Sequence, residues 1–306
     1  MDLAFTELQD ELRDQARGYL ETTPEPTWEA LAELGWTGAG VGEEHGGAGL
    51  SFVEEAVLHE EAGRALLHAP LWSTSSLLPF LPAEDQAAVA GGTASWTLAL
   101  GPLVPDLDTA ANVAVPAGDT VWELVGCERE VLPTNDATRP LGVVSGGEPG
   151  RALCSSEVLP ALRNRSLAIL ALEAVGVGSR ALELAVDYVK SRVQFGRPIG
   201  SYQAVSHPLA SAYTELELAR SLAWWAAWCV AEKDPQAPVA AAAAAAEAAD
   251  AAVAACERAI QAHGGIGFTW EHVLHRLYKR ALGIQSWEAS SAQLRAEVAS
   301  ELLDTP

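Results

Sequence analysis

Residues 190–210 read KSRVQFGRPIGSYQAVSHPLA and join two long segments that have helical patterning. The connection contains Arg192, the aromatic Phe195, two glycines and Gln203. A guanidinium at a helix end can bind a pyrophosphate through two parallel hydrogen bonds. A structural interpretation is also open, because the helix dipole favours arginine at a C-terminus and glycine commonly follows the last turn. The stretch alone does not decide between them.

The charge of the chain limits the kinds of partner it can have. Its 306 residues include 41 acidic and 19 basic side chains, which gives a formal net charge of −22. Such a surface repels nucleic-acid phosphates and anionic membranes, so we predict no nucleic acid and no membrane as partners. The acidic N-terminus has no signal-peptide pattern, and we expect a cytoplasmic protein.

The cysteines and histidines give no metal-binding pattern. Cys229 and Cys256 lie in alanine-rich stretches and are interpreted as buried apolar residues. His272 and His275 share a helix face, but a third ligand is not evident, so no metal site is predicted. The alanine-rich residues 237–260 are long enough to span a bilayer, yet acidic residues interrupt them, which favours a core helix.

Three regions follow one another along the chain. Residues 1–90 have helical patterning, and residues 91–158 contain short apolar runs separated by Gly, Pro and Asp. Residues 159–306 return to long helical patterns with short connections, which is typical of an antiparallel bundle. The sequence therefore predicts a mostly α fold with a small β domain.

Local signals refine this prediction. Thr6 and Thr27 are expected to cap the first two helices. Short strands are predicted at WTLAL (96–100), NVAVPA (112–117), VWELV (121–125) and LGVVS (141–145).

A glycine-rich segment follows the alanine-rich helix. It reads QAHGGIGFTWE (261–271). Glycines let a backbone approach a ligand closely and expose its N–H groups. The alternative is an ordinary helix stop followed by a turn.

A single glutamate is the candidate base. Glu288 lies beside Trp287 in SWEASSAQLRAEVA (286–299), close to a predicted helix start. A carboxylate against an indole in an apolar pocket has its pKa raised, which suits a general base. The alternative is a first-turn glutamate that the helix dipole favours.

These segments occur together in one order that resembles the acyl-CoA dehydrogenase family. Its members are flavoproteins with an N-terminal helical domain, a middle β domain and a C-terminal four-helix bundle. Residues 28–66 resemble the N-terminal domain, residues 191–210 resemble the R-x-x-F-G…Q signature, and residues 261–281 resemble the Q-x-x-G-G-x-G segment. The resemblance covers nearly the whole chain. It implies an N-terminal helical domain (1–90), a reduced β domain (91–158) and a C-terminal helical bundle (159–306).

The resemblance implies roles for particular residues. Arg192 resembles the arginine that binds the FAD pyrophosphate of a neighbouring subunit, and Gln261 resembles a residue of the loop that faces the partner's FAD. The residues with an implied cofactor-binding role are Arg192, Gln194, Phe195, Gln203, Gln261, Gly264, Gly265, Gly267 and Ser290.

Glu288 resembles the catalytic base of the family. The family motif Tyr-Glu-Gly-Thr reads Trp-Glu-Ala-Ser at residues 287–290. Some members carry the base near the start of the first bundle helix instead, where residues 163–166 (Arg-Asn-Arg-Ser) have no carboxylate. The implied reaction is α,β-dehydrogenation of an acyl-CoA thioester: Glu288 takes the α-proton and the β-hydrogen leaves as hydride to the flavin.

The sequence departs from the family pattern in its middle region. The Thr-Glu-Pro…Gly-Ser-Asp and Trp-x-Ser/Thr segments, with which members hold their own flavin, are not clear in residues 91–158. Ala289 and Ala292 stand where the family has a glycine and a flavin-contacting glutamine. The half-site lent to a neighbour's flavin looks intact, whereas the half-site for the chain's own flavin looks reduced. We therefore predict the shorter subunit of a heteromeric enzyme, with a shared FAD.

The resemblance also implies partners. They are an acyl-CoA substrate, with a bulky or steroid-like acyl group, and an electron-transfer flavoprotein or similar acceptor. The protein partner is a homologous acyl-CoA dehydrogenase subunit, or a second copy of the chain in a homo-oligomer. Two other functions stay open, namely a non-redox homologue acting on an acyl thioester and a catalytically inactive structural subunit.

Overall fold

The computed structural model describes residues 5–303, in which ten α-helices and seven β-strands are formed. The helices are α1 (Glu7–Thr22), α2 (Trp28–Glu33), α3 (Phe52–Ala65), α4 (Leu71–Leu77), α5 (Ala83–Ala90), α6 (Leu159–Ser191), α7 (Gln203–Ala231), α8 (Ala237–His263), α9 (Leu274–Ser286) and α10 (Ser291–Leu303). The strands are β1 (Trp96–Leu98), β2 (Val104–Pro105), β3 (Asn112–Ala117), β4 (Thr120–Leu132), β5 (Leu141–Ser155), β6 (Val193–Gln194) and β7 (Arg197–Pro198).

Side-chain caps begin the first three helices. The Thr6 hydroxyl accepts a hydrogen bond from the Gln9 N–H, and the Gln9 side chain accepts one from the Thr6 N–H. The Thr27 hydroxyl caps α2 by accepting a hydrogen bond from the Ala30 N–H. Ser51 begins α3 with a reciprocal cap. Each cap satisfies N–H groups that a helix start leaves without partners, and the predicted roles of Thr6 and Thr27 are confirmed.

Five strands form one sheet in the order β1–β3–β4–β5–β2, where β1 and β3 are parallel and the other neighbours antiparallel. The four predicted strands exist, but the predictions for β4 and β5 were too short, because these strands continue to Leu132 and Ser155. The added residues are mostly exposed on both faces. Because few of their side chains are buried, no alternating apolar pattern marks them in the sequence.

Helices α6, α7, α8 and α9 form the C-terminal bundle, and α10 packs on α8. Most alanines of α8 are buried, as are Cys229 and Cys256. Alanine has the highest helix propensity, and its short side chain lets neighbouring helices approach closely. Within residues 5–303, Ala237–Phe268 is the one segment long and apolar enough to cross a membrane, and 67% of its apolar window is buried. This burial is that of a core helix, as the sequence predicted.

Buried ion pairs attach the loop between β4 and β5 to the bundle. Arg280 of α9 is 1% exposed and donates to Asp136 (2.6 Å) and to the Thr138 carbonyl (2.8 Å). Arg139 donates to Glu173 of α6 at 2.6 Å. A buried charge is tolerated when it is paired and hydrogen-bonded, so these contacts fix the loop against α6 and α9.

The fold is thus mostly helical with a small sheet between two helical parts, and the predicted fold class is confirmed. The domain boundaries at residues 90 and 158 stay predictions.

Two glycines let α3 cross α6 at close range. A Cβ added at Gly63 of α3 would lie 2.2 Å from the Glu173 carbonyl oxygen, and one added at Gly176 of α6 would lie 2.0 Å from the Glu60 carbonyl oxygen. Both distances are far inside van der Waals contact. The crossing therefore requires glycine on both helices, and it joins the N-terminal helices to the bundle.

We expect Gly176→Ala to destabilise the protein by about 1–3 kcal/mol, since the methyl group must push α3 and α6 apart. Urea unfolding of the purified chain measures the change. Gly18 of α1 is the matched control, because an added Cβ there meets no atom within 4 Å. Gly18→Ala should stabilise by up to about 1 kcal/mol through helix propensity. Equal effects of the two substitutions would contradict the close crossing.

Candidate functional site

The stretch that follows α6 forms a short hairpin. Strand β6 (Val193–Gln194) pairs with β7 (Arg197–Pro198). The two turn residues, Phe195 and Gly196, have φ angles of 53° and 79°. Positive φ at both central residues characterises the type I′ turn, whose twist suits a two-residue hairpin. The sequence predicted a connection here but not this hairpin.

Phe195 is held at the tip of the hairpin, 93% exposed. A positive φ in a bulky residue costs about 1–3 kcal/mol. Tyr202 supports the tip of the hairpin, because its ring packs edge-on against the Phe195 ring with centroids 6.5 Å apart. The Arg197 guanidinium lies 4.0 Å above the Tyr202 ring. A large ring kept in solvent by a strained turn is typical of a surface that contacts another molecule.

Arg192 lies at the base of the hairpin with a free side chain. Its main-chain N–H donates to the Tyr188 carbonyl and its carbonyl accepts from the Ile199 N–H, both at 2.8 Å. The side chain is exposed and has no ion pair or hydrogen bond in the described part of the chain. Many other arginines are ion-paired, as Arg17 and Arg258 are. The guanidinium of Arg192 is therefore available to an anion.

The C-terminal ends of α6 and α8 lie side by side. Tyr188, one turn before Arg192, stacks on His263 with ring centroids 4.4 Å apart. His263 directly precedes the 3-10 turn Gly264–Phe268. Helix α7 begins at the exposed Gln203, after the hairpin and one 3-10 turn (Ile199–Ser201). The structure thus brings the hairpin, Gln203 and the glycine turn to one end of the bundle.

The glycine turn combines a tight contact with an open surface. A Cβ at Gly267 would lie 2.7 Å from the Ile260 carbonyl oxygen, so only glycine fits there. Gly264 has a φ of 64°, and Cβ atoms added at Gly264 or Gly265 would meet no atom within 4 Å. Gln261 is exposed on the last turn of α8. The backbone at Gly264 and Gly265 can therefore come close to a ligand.

This end of the molecule also exposes apolar side chains. We call residues 192–203 and 261–270 the bundle-end surface. Five large apolar side chains on it are at least half exposed, namely Phe195 (93%), Trp270 (78%), Phe268 (74%), Val193 (52%) and Ile266 (50%). Such a concentration of exposed apolar groups marks an interaction site.

Glu288 lies at the other end of the bundle, between α9 and α10. Its φ is 61° and its side chain is 27% exposed. The carboxylate forms an ion pair with Arg163, near the start of α6. The prediction of an unpaired carboxylate shielded from water is wrong, because Glu288 is ion-paired and partly exposed. Trp287 packs edge-on against Trp72, with ring centroids 5.4 Å apart. The role of Glu288 as base stays a prediction.

Ser290 has a local partner. Its N–H and its hydroxyl both donate to the Gln293 side-chain oxygen at 2.9 Å, and the hydroxyl oxygen accepts from the Gln293 N–H at 3.3 Å. This is a reciprocal cap for α10. The predicted contact of Ser290 with FAD stays a prediction.

Two cavities adjoin the Trp72–Trp287 pair. One has a volume of about 430 Å³, with Arg163 and Glu288 in its wall. The other has a volume of about 730 Å³ and is lined by the loop after β4 and by α9. Both volumes are in the range that accommodates small organic ligands.

Helix α6 separates the two ends. Arg163 and Arg192 are 29 positions apart along it (192 − 163), which corresponds to about 44 Å at a rise of 1.5 Å per residue. This separation exceeds the length of a dinucleotide cofactor. Arg192 and Glu288 of one chain therefore cannot contact the same cofactor molecule.

Sequence reasoning missed the partner of Glu288. Arg163 stands in a stretch without a carboxylate, and it is 125 positions from Glu288. No local pattern could have paired them. The stacking of Tyr188 on His263 was missed for the same reason.

The comparisons with known proteins agree with this architecture. The family models described as acyl-CoA dehydrogenase N-terminal and C-terminal domains match residues 3–81 and 164–303. Acyl-CoA dehydrogenase IpdE2 of Mycobacterium tuberculosis is 35% identical over 300 residues, which cover 95% of this chain and 89% of IpdE2. The chain belongs to the acyl-CoA dehydrogenase family of oxidoreductases, and the resemblance seen in its motifs is confirmed.

Solved structures share the fold. The ChsE4–ChsE5 complex from Mycobacterium tuberculosis superimposes with a TM-score of 0.89 and 22% identity, over 100% of both chains. A steroid ACAD named Tcur3481–Tcur3483 gives a TM-score of 0.82 and 26% identity, over 97% of each chain.

We expect Phe195→Asn to stabilise the purified chain by about 0.5–1 kcal/mol in urea unfolding, because asparagine tolerates positive φ and Asn-Gly is a preferred type I′ pair. The control is Phe268→Asn, at a residue 74% exposed that lacks a positive φ. It should give no such gain. Destabilisation by Phe195→Asn would show that the ring packs within the chain.

Proposed function

We propose that this chain is a subunit of an FAD-dependent acyl-CoA dehydrogenase, and that its bundle-end surface completes a flavin site held mainly by a neighbouring subunit. The free side chain of Arg192 is the observation that carries the proposal. Its guanidinium is exposed and has no partner in residues 5–303, although the chain has a net charge of −22. Such a group attracts an anion, and its planar fork matches a pyrophosphate.

The residues of the bundle-end surface fit this cofactor. Arg192 would neutralise the pyrophosphate, Gly264 and Gly265 would allow the cofactor close to the main chain, and Phe195 would supply an aromatic contact. When bound, FAD accepts the hydride that leaves the β-carbon of the acyl-CoA. The residues assigned to this half-site are Arg192, Gln194, Phe195, Gln203, Gln261, Gly264, Gly265 and Gly267.

Glu288 is the base that we assign to the opposite end. A thioester carbonyl acidifies the α-proton, and a carboxylate within reach can remove it. The cavity of about 430 Å³ beside Glu288 is lined largely by tryptophan, leucine and proline, which offers apolar room for a bulky acyl group. Since α6 keeps the two ends about 44 Å apart, Glu288 and Arg192 of one chain serve different sites.

A heteromeric assembly has support from two sides. Both similar structures, ChsE4–ChsE5 and Tcur3481–Tcur3483, are named as pairs of proteins, and the second is named a steroid ACAD. In this chain, the segments with which family members hold their own flavin are not clear in residues 91–158. We therefore propose a homologous subunit as partner and a steroid-like acyl-CoA as substrate. An electron-transfer flavoprotein or similar acceptor would reoxidise the flavin.

One observation favours a second candidate function, that of a catalytically inactive partner subunit. The Glu288 carboxylate is ion-paired with Arg163 and is not free to take a proton. The chain would then contribute the bundle-end surface and no base. Flavin reduction by an acyl-CoA in complexes with and without Glu288→Gln separates the two candidates, since only a working base makes the substitution costly.

We expect Arg192→Gln to weaken FAD binding by the co-purified complex about tenfold or more, because a charge-assisted hydrogen bond contributes about 1.5–3 kcal/mol. The flavin-to-protein absorbance ratio and an FAD titration measure the loss. Arg180→Gln is the control: Arg180 lies on the same helix, three turns earlier, and its side chain is 38% exposed. It should leave FAD binding unchanged. Full FAD retention by Arg192→Gln would contradict the proposal.

A further inference from the structure

One guanidinium holds two carboxylates at the Glu288 end of the bundle. The Arg163 Nε–H donates to Glu288, while Nη1 and Nη2 donate to the two oxygens of Glu297 at 3.0 and 3.1 Å. The side chains of Arg163 and Glu288 are 32% and 27% exposed, so water screens their pair only in part. The proposed dehydrogenation does not use Arg163 or Glu297.

The arrangement is fixed on both sides. Glu297, on α10, accepts hydrogen bonds from Nη1 and Nη2 of Arg163, and this fork geometry orients the Arg163 Nε–H toward Glu288. Glu288 has a φ of 61°, a backbone conformation that non-glycine residues adopt infrequently. Within residues 5–303, Arg163 is the cation that pairs with Glu288. The carboxylate therefore has a defined position and a single cationic partner.

The pair faces the cavity in which an acyl group would lie. Arg163 and Glu288 both line the space of about 430 Å³, together with Trp72 and Trp287. A carboxylate oxygen that accepts a charge-assisted hydrogen bond must give it up before it can accept a proton from carbon. The bond to Arg163 thus competes directly with proton abstraction.

We propose that Arg163 is a latch that withholds Glu288 from proton abstraction, and that Glu297 weakens the latch by sharing the guanidinium. This rests on the proposed function, which assigns Glu288 as the base. Removal of Arg163 frees the carboxylate. Removal of the Glu297 charge leaves the whole positive charge to Glu288 and tightens the pair. The two changes therefore act in opposite directions.

A purely structural role for Arg163 gives a different pattern. If the ion pairs of Arg163 only attach α6 to α10 and to the α9–α10 connection, removal of either partner would loosen that attachment. Both substitutions would then lower the melting temperature and move base activity in the same direction. The sign of the two effects separates the latch from the structural role.

The test is exchange of α-hydrogen for deuterium, on the complex of this chain with its partner subunit in D₂O. The probe is 3,3-dimethylbutanoyl-CoA, which has α-hydrogens but none on the β-carbon, so no hydride can leave. Glu288 takes the α-proton, and the electron pair of that C–H bond moves onto the thioester carbonyl. The protonated carboxyl exchanges with solvent and returns a deuteron to carbon. No oxidant is consumed, and mass spectrometry of the probe gives the rate.

Arg163→Met should raise the exchange rate about threefold to tenfold, because the carboxylate no longer has to give up a hydrogen bond before it takes the proton. A factor of ten corresponds to about 1.4 kcal/mol. Glu297→Gln should lower it about twofold. The gain should disappear in Arg163→Met combined with Glu288→Gln, which assigns it to this carboxylate. Arg295→Met is the control, since Arg295 lies on α10 and pairs with Glu247 and Asp250. It should leave the rate unchanged.

No gain, or a loss, in Arg163→Met overturns the latch, as do changes of the same sign in Arg163→Met and Glu297→Gln. A gain in Arg163→Met with an unchanged rate in Glu297→Gln supports the latch and overturns the part given to Glu297. The proposed function fails by a different readout. A complex without flavin, or a flavin that no steroid-like acyl-CoA reduces, would overturn it without affecting the exchange comparison.

Discussion

The length of α6 is the constraint on which the arrangement of this protein depends. One continuous helix of 33 residues carries Arg163 near its start and ends at Ser191, directly before Arg192. Because an α-helix rises 1.5 Å per residue, the two positions are held about 44 Å apart. The helix is packed against α3, α7, α8 and α9, so it has little freedom to bend. The base candidate and the free arginine are therefore fixed at opposite ends, and each requires its own site.

Close packing around α6 keeps this spacing rigid. Gly63 and Gly176 let α3 cross α6 at main-chain distance. The short side chains of the α8 alanines let α8 pack closely against α6 as well. At the hairpin end, the stacking of Tyr188 on His263 fixes the ends of α6 and α8 to each other. Arg192 and the glycine turn thus share one surface because of packing inside the bundle, and a partner meets them as a preformed pair.

The sequence predicted what local patterns determine. Helix caps at Thr6 and Thr27, helical periodicity and the glycine turn depend on neighbouring residues, so they were found, and the joint order of three motifs identified the family. The outer parts of β4 and β5 were missed because exposed strands carry no apolar alternation. The Arg163–Glu288 pair joins residues 125 positions apart, and only the folded chain brings them together. The same pair contradicts the unpaired carboxylate expected at Glu288, although apolar residues line the cavity beside it.

The central claim is that this chain lends its bundle-end surface to a neighbour's flavin and does not complete a flavin site by itself. The most direct measurement is the number of FAD molecules per chain, determined from absorbance and protein mass after size-exclusion chromatography. We expect no FAD on the chain purified alone and bound FAD on the complex with a homologous subunit. One FAD on every chain of a homo-oligomer would contradict the claim.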